Sequence, residues 1–273
     1  MTTPSTATGD AQHGIRPTRR TVTRAAAWTV PVVAASAAAP AYAASLCTER
    51  SASVSTSMAL SGSATVQGWA RSSETSGSWR TVDPDGAATK YTNARIAVTC
   101  LKRGQLEYGF ATAANNLTAY TTGGVTGLTI NQRPSSGATA RGYAQRTETN
   151  FNFQRPVYNL TFTIADISKQ GSATGTNGFW DALWVESDAL FSVTARDADV
   201  VGAGTSSSDP FTVRNAALDV GDTAPNNVTL QFASRCTYVK IYYWSATKGQ
   251  TSYGGQGITV GNMSMQLSPD GCV

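Results

Sequence analysis

The chain has 273 residues, with 21 basic and 17 acidic side chains, a formal net charge of +4 and one histidine. That histidine, His13, lies in a leader that the sequence marks for removal, so catalysis by a Ser-His-Asp or Cys-His pair and zinc ligation by imidazole are excluded for the working protein. Arg16, Arg19, Arg20 and Arg24 lie in the same leader, against the single acid Asp10. The remainder is almost neutral and gives no reason to expect a nucleic-acid partner or an anionic membrane surface.

Residues 1–43 have the order of an export signal. A polar, basic stretch runs through Arg24, an apolar alanine-rich run of about 15 residues spans Ala25 to Ala39, and Ala41-Tyr42-Ala43 forms an Ala-x-Ala cleavage site. The run is shorter than the roughly 20 residues of a membrane span and contains Pro31. The mature chain is therefore expected to begin at Ala44, to be secreted or extracellular, and to hold no integral membrane segment. Thr18-Arg19-Arg20-Thr21-Val22-Thr23-Arg24 resembles a twin-arginine signal. It departs from one at Thr21 to Thr23, where bulkier apolar residues usually stand, so the general secretory route stays open. No apolar tail follows Cys272, which implies release or non-covalent retention at the cell surface.

Four cysteines, Cys47, Cys100, Cys236 and Cys272, form an even set in a chain sent to an oxidising space, which reads as two disulfides. A four-thiolate metal site is the weaker reading because no C-x-x-C pair is present. Leu46, before Cys47, also argues against a lipidated cysteine. Pairing Cys47 with Cys100 and Cys236 with Cys272 closes the shorter loops, but three connectivities remain open.

Residues 44–86 are rich in Ser, Thr, Gly and Ala and are expected to hold peripheral strands at most. Residues 87–273 carry the main domain, with period-two alternation bounded by Gly, Asn, Asp, Ser and Pro clusters. Ile96, Val98 and Cys100 share one side of a strand. Leu160, Phe162 and Ile164 share another, as do Val228, Leu230 and Phe232. Val239, Ile241 and Tyr243 alternate with Tyr238, Lys240, Tyr242 and Trp244. Such half-buried, threonine-bearing strands predict an all-β, antiparallel β-sandwich of jelly-roll-like character. The stretches Phe153–Ile164 and Phe232–Tyr243 place apolar residues at matching offsets around a bend, as expected of strands that switch sheets.

The run Phe151-Asn-Phe153-Gln-Arg155-Pro156-Val157-Tyr-Asn159-Leu160-Thr-Phe162-Thr-Ile164-Ala-Asp166-Ile167 carries a motif. So do Trp180-Asp181-Ala182-Leu183, Gly202-Ala-Gly204-Thr205 and Asp209-Pro210-Phe211. Together they resemble a group of exported, mostly actinobacterial surface proteins of β-sandwich form, most without an assigned activity. The resemblance covers roughly Leu128 to Cys272 and implies fold and compartment more than function. The pattern usually places a second aspartate two residues after Asp166, where this chain has Ser168. Asp166, Ser168 and Asp181 are the candidate ligands of a structural calcium ion, which takes oxygen donors. The alternative is that the two aspartates cap turns and bond to backbone.

The candidate binding surface is aromatic. Trp180 and Trp184 fall on one side of a strand about 13 Å apart, a spacing comparable to that of sugar rings along a glycan. Tyr242 and Trp244 fall on the side of their strand opposite the expected core. Exposed flat rings stack on the apolar faces of sugars, whereas buried ones simply pack. The sequence thus implies a non-catalytic binding or surface-structural role, with polysaccharide binding as the alternative. The enzyme reading is a glycan hydrolase using two of Asp181, Glu186 and Asp188, which needs a carboxylate pair about 5 to 10 Å apart.

Overall fold

The computed structural model describes residues 52–55, 69–80, 95–104, 106–107, 116–134, 142–170, 179–214, 226–246 and 256–267. Leader, Cys47 and Cys272 lie outside them. The described residues contain seventeen strands: β1 (Ala52–Ser55), β2 (Trp69–Ser73), β3 (Ser76–Arg80), β4 (Arg95–Lys102), β5 (Leu106–Glu107), β6 (Ala119–Thr122), β7 (Val125–Pro134), β8 (Arg146–Ala165) and β9 (Lys169–Gln170), then β10 (Phe179–Ser187), β11 (Phe191–Arg196), β12 (Val200–Val201), β13 (Phe211–Val213), β14 (Val228–Phe232), β15 (Cys236–Ser245), β16 (Gln256–Gly261) and β17 (Ser264–Leu267). Every pairing is antiparallel. No helix occurs among the described residues, as the period-two alternation predicts.

The architecture turns on β8, which has 20 residues. Its first half pairs with β4 on one edge and β15 on the other. Its second half pairs with β17 and β16 on one edge and β14 on the other. A first sheet therefore runs β2-β3-β4-β8-β15-β10-β13-β12, and a second fans from the other half of β8 through β14 to β11 and through β16 and β17 to β7, β6 and β1. Between the halves lie Pro156, which cannot donate to a ladder, and Asn159, at a φ of 48°. The neighbouring strand breaks at the same level, where β14 ends and β15 begins, with a register shift between Cys236 and Tyr238. The two stretches with matching apolar offsets are these two adjacent strands, bending together.

One apolar core fills the space between the sheets. Trp79, Ile96, Val98, Phe151, Leu183, Val185, Val239 and Ile241 come from the first, and Leu128, Ile130, Leu160, Phe162, Ile164, Leu230, Phe232, Ile258 and Val260 from the second. Phe162 stacks on Phe232 at 5.8 Å, a pair that ties β8 to β14 beyond its backbone ladder.

The expected division at residue 86 falls inside this unit, because the chain from Arg50 onward forms one compact body. The hairpin of β2 and β3 continues the first sheet through β4. Trp69 and Trp79 are both buried in the core, with ring centroids 4.8 Å apart, and Trp79 stacks on Phe151. Trp69 Nε1 donates to the Leu117 carbonyl at 3.0 Å. Low hydrophobicity around two tryptophans hid a core hairpin. Trp79→Ala should therefore cost about 3 to 5 kcal/mol, as for large aromatic deletions in cores, in chemical denaturation. A loss below about 1 kcal/mol would return the hairpin to the periphery.

Candidate functional site

The calcium candidates meet only in part. Asp181 is fully buried on the inner side of β10. Its Oδ2 accepts from the backbone N–H of Ser168 at 2.9 Å and from the Ser168 hydroxyl at 3.2 Å, while Tyr243 donates to Oδ1 at 2.6 Å. The Asp181 N–H returns a bond to the Ser168 carbonyl at 2.9 Å. Both carboxylate oxygens thus accept from N–H or O–H donors. Asp166, at a φ of 64°, is close enough for its charge to be felt at Asp181. Among the described residues no three His, Cys, Asp or Glu side chains group as a metal site. The arrangement matches the alternative reading, in which Asp181 bonds to neighbouring backbone.

The aromatic candidates separate. Trp184, Tyr242 and Trp244 come together on the outer side of the first sheet, but Trp180 does not join them. The regular ladder of β10 with β15 starts at Asp181, and Phe179 and Trp180 pair with β9. Trp180 packs against the main core, its Nε1 donates to the Val213 carbonyl at 3.2 Å, and Lys169 Nζ lies 4.0 Å from its ring centre. Strand parity does not carry through such a change of partner.

Tyr242 and Trp244 lie opposite the core, as read from the alternation, and are only 8% and 4% accessible, which is the packing alternative for these two rings. The reason is a second, smaller apolar cluster, in which Ala182, Tyr242 and Trp244 pack with Trp184, Ala246 and Tyr143. Tyr143, from the turn before β8, meets Trp244 edge-on at 5.2 Å. Trp184 stacks on Tyr242 at 4.2 Å with planes 5° apart and stays partly exposed.

Charged and polar side chains surround this pair in cross-strand rows. Leu101, Glu148, Tyr242 and Trp184 stand in register across β4, β8, β15 and β10; the next row is Thr99, Asn150, Lys240 and Glu186. Arg103 bonds both oxygens of Glu148, at 3.1 and 3.2 Å, and Arg146 reaches the same carboxylate at 2.6 Å. Burial pushes the Glu148 pKa up, but the Arg103 hydrogen bond and the arginine charges outweigh it, so the group stays below the usual carboxylate range. Glu186 accepts from the Tyr242 hydroxyl at 2.6 Å and the Tyr238 hydroxyl at 3.3 Å. Burial, then this bond to Glu186, holds Tyr242 well above an ordinary phenol.

Of the three carboxylates of the hydrolase reading, Asp181 is inside the sheet. Glu186 is outside, and Asp188 sits in the turn after β10, where it accepts from Thr237 N–H at 2.9 Å and from Tyr238 N–H at 3.4 Å. Each expected bridge involves Cys47 or Cys272, which lie outside the described residues. Cys236 is a buried thiol, pushed up to about 11 by burial, beside the Ser187 hydroxyl at 3.3 Å. Cys100 is buried on β4, where its Sγ accepts from Thr149 at 3.3 Å.

The glycine and Asp-Pro pieces form one loop between β12 and β13 that docks on β10. Val185 N–H donates to the Gly204 carbonyl, and Gly204 N–H to the Asp209 carbonyl, both at 2.9 Å. Gly204 has a φ of 66°, and a Cβ there would lie 2.0 Å from the Phe211 ring. The spacing thus serves close packing against Phe211. Missed by sequence reading were Tyr143, Arg103, Arg146 and Glu148. Nothing local in the sequence shows that the outer side of this part of β8 stands beside Tyr242 on the adjacent strand and Trp184 on the next. The chain matches no known protein-family model, no curated protein and no solved structure.

Two outcomes test this geometry. Gly204→Ala should lower stability by about 1 to 3 kcal/mol, from overpacking against Phe211 and a left-handed backbone, read by chemical denaturation. Burial raises the Asp181 pKa well above its ordinary value, more than its donors lower it. Its stabilising contribution is therefore full below the unfolded carboxylate range and is lost as pH rises through the folded value. Asp181→Asn should remove that loss, so the melting temperature of the variant gains on the parent from acid to neutral pH. A constant difference across that range would contradict the assignment.

Proposed function

We propose that this is an exported, secreted or cell-surface β-sandwich with a non-catalytic binding role, and that it holds polysaccharide on the outer side of the first sheet. The observation that carries this reading is the Trp184–Tyr242 stack at 4.2 Å, with Trp184 partly exposed and hydrogen-bonding rows on β8, β15 and β10 around it. An apolar ring with a polar surround suits a sugar, whose ring C–H face is apolar and whose rim is hydroxylated. A non-catalytic role is favoured because Glu148 is held ionised between two arginines and Glu186 receives two tyrosine hydroxyls. Neither is placed as the proton donor that glycoside cleavage needs. A surface-structural role is the second reading, favoured by the burial of Tyr242 and Trp244.

Retention of the mature chain on insoluble polysaccharides separates the two. Trp184→Ala should weaken retention by about tenfold, the scale of a binding hot spot. Trp180→Ala should leave retention by folded protein unchanged. Equal loss in both, or retention indifferent to Trp184, would favour the structural role.

A further inference from the structure

The antiparallel ladder of β1 with β17 runs from Ser55–Ser264 to Ala52–Leu267 with no shift in register. Past that last rung the two segments leave side by side in the same direction. Cys47 lies five residues before Ala52, and Cys272 lies five residues after Leu267. The two cysteines thus share the register of the ladder. Residues directly opposite in an antiparallel pair have Cα atoms about 4.5 to 5.5 Å apart, inside the span a disulfide accepts. Pro269 cannot donate to a ladder, but equal arms from one rung need no unbroken pairing to meet, since closing so short a loop costs little entropy.

Cys100 and Cys236 are placed differently. Cys100 stands opposite Thr149 on one edge of β8, and Cys236 stands opposite Val157 on the other. Eight residues of strand separate those rungs, roughly 26 Å at about 3.3 Å per residue, whereas a disulfide holds its Cα atoms within about 7 Å. These two cannot bridge each other. Leu267 also stands opposite Val157, so Cys100 is as distant from it, and a five-residue arm spans at most roughly 18 Å. Only a fully straight arm aimed along β8 would approach Cys100. Cys236 is nearer, but Val157 stands between it and Leu267 in the same row. Its thiol is wholly inside the core, 3.3 Å from the Ser187 hydroxyl and 3.3 Å from the Tyr238 carbonyl.

We infer that the mature chain carries one disulfide, Cys47 to Cys272, and that Cys100 and Cys236 keep their thiols in the core. The bridge fastens β1, held by four rungs, to the rest of the second sheet. Its formation takes a disulfide oxidant such as oxidised glutathione. The Cys47 thiolate displaces one glutathione thiolate, the Cys272 thiolate displaces the other, and two electrons and two protons pass from the protein to two glutathione thiols. In the organism the bridge rests on the export proposed above for its oxidant. In purified protein glutathione supplies it, so failure of the bridge and failure of export are read apart.

The test takes the reduced mature chain, oxidises it with glutathione disulfide, blocks thiols with one maleimide before unfolding and a second after, and maps the peptides without reduction. The expected result is a Cys47–Cys272 linked peptide, with only the second maleimide on Cys100 and Cys236. Dithiothreitol should lower the melting temperature by about 5 to 15 °C, the scale of a native bridge in a chain of this size. Cys47→Ser or Cys272→Ser should show the lowered value with or without reductant. The same linked peptide in protein recovered from culture medium supports bridge and export together, and its absence there, with the bridge formed in purified protein, counts against export alone. A Cys47–Cys100 or Cys236–Cys272 peptide, four thiols after oxidation, or a reductant effect that persists in Cys47→Ser would overturn the assignment.

Discussion

A single strand shared by two sheets is the constraint on which the rest depends. Since β8 lends one half of its length to each sheet, neither sheet can slide against the other without breaking ladders on both sides of the bend. A one-residue slip would turn Phe151, Phe153, Leu160, Phe162 and Ile164 out of the core together. Pro156 and Asn159 place the bend, and the gap between β14 and β15 lets the neighbour follow it. Polar contacts reinforce the register. Thr147 on β8 donates to Gln132 on β7 at 2.8 Å, both fully buried, which joins strands of the two sheets at a point where apolar packing alone would tolerate drift.

How much of this was legible in the sequence depends on what alternation encodes. It separates two sides of a strand, and for β4, β8 and β14 the assigned sides are the observed ones, with Ile96, Val98, Leu160, Phe162, Leu230 and Phe232 inside. It does not say what lies over the far side. Tyr242 and Trp244 were read on the correct side of β15 and still proved buried, because Tyr143 and Trp184 reach over them from other elements. Nor does it survive a change of partner, which is why Trp180 leaves the row that Trp184 keeps. Composition misled most in the segment before residue 86. There Ser and Gly dilute the signal of two core tryptophans, and what makes the hairpin integral is pairing with β4, a contact between segments that no local pattern records.

The motif residues read from resemblance divide by the same logic. Phe151–Ile167 forms the shared strand, Trp180–Leu183 opens β10, and the glycine and Asp-Pro pieces build the loop that seals β10 through Gly204 and Phe211. In this structure their contacts are packing and backbone bonding. The residues that compose the candidate face, Trp184, Tyr242, Glu148 and Glu186 among them, lie outside those pieces, and only Asn152 falls within one. Scaffold residues and outward side chains thus share the same strands, with the ladders fixing the spacing of the outward rows.

The first sheet also shows how one backbone sets three carboxylates to different tasks. Asp181 points inward, where burial favours its neutral form and three donors hold it against Ser168 and Tyr243. Glu148, two strands away on the outer side, is kept ionised by Arg103 and Arg146 and anchors both. Glu186 receives tyrosine hydroxyls and thereby orients the ring that Trp184 stacks upon. All three spend their charge or lone pairs on holding neighbours in place. A face built this way offers a partner rigid shape and hydrogen-bonding edges more than free charge, and rigidity of that kind lowers the ordering cost of association. In the binding role proposed above, the recognising edges are the hydrogen-bonding side chains in the rows beside Trp184, not the motif.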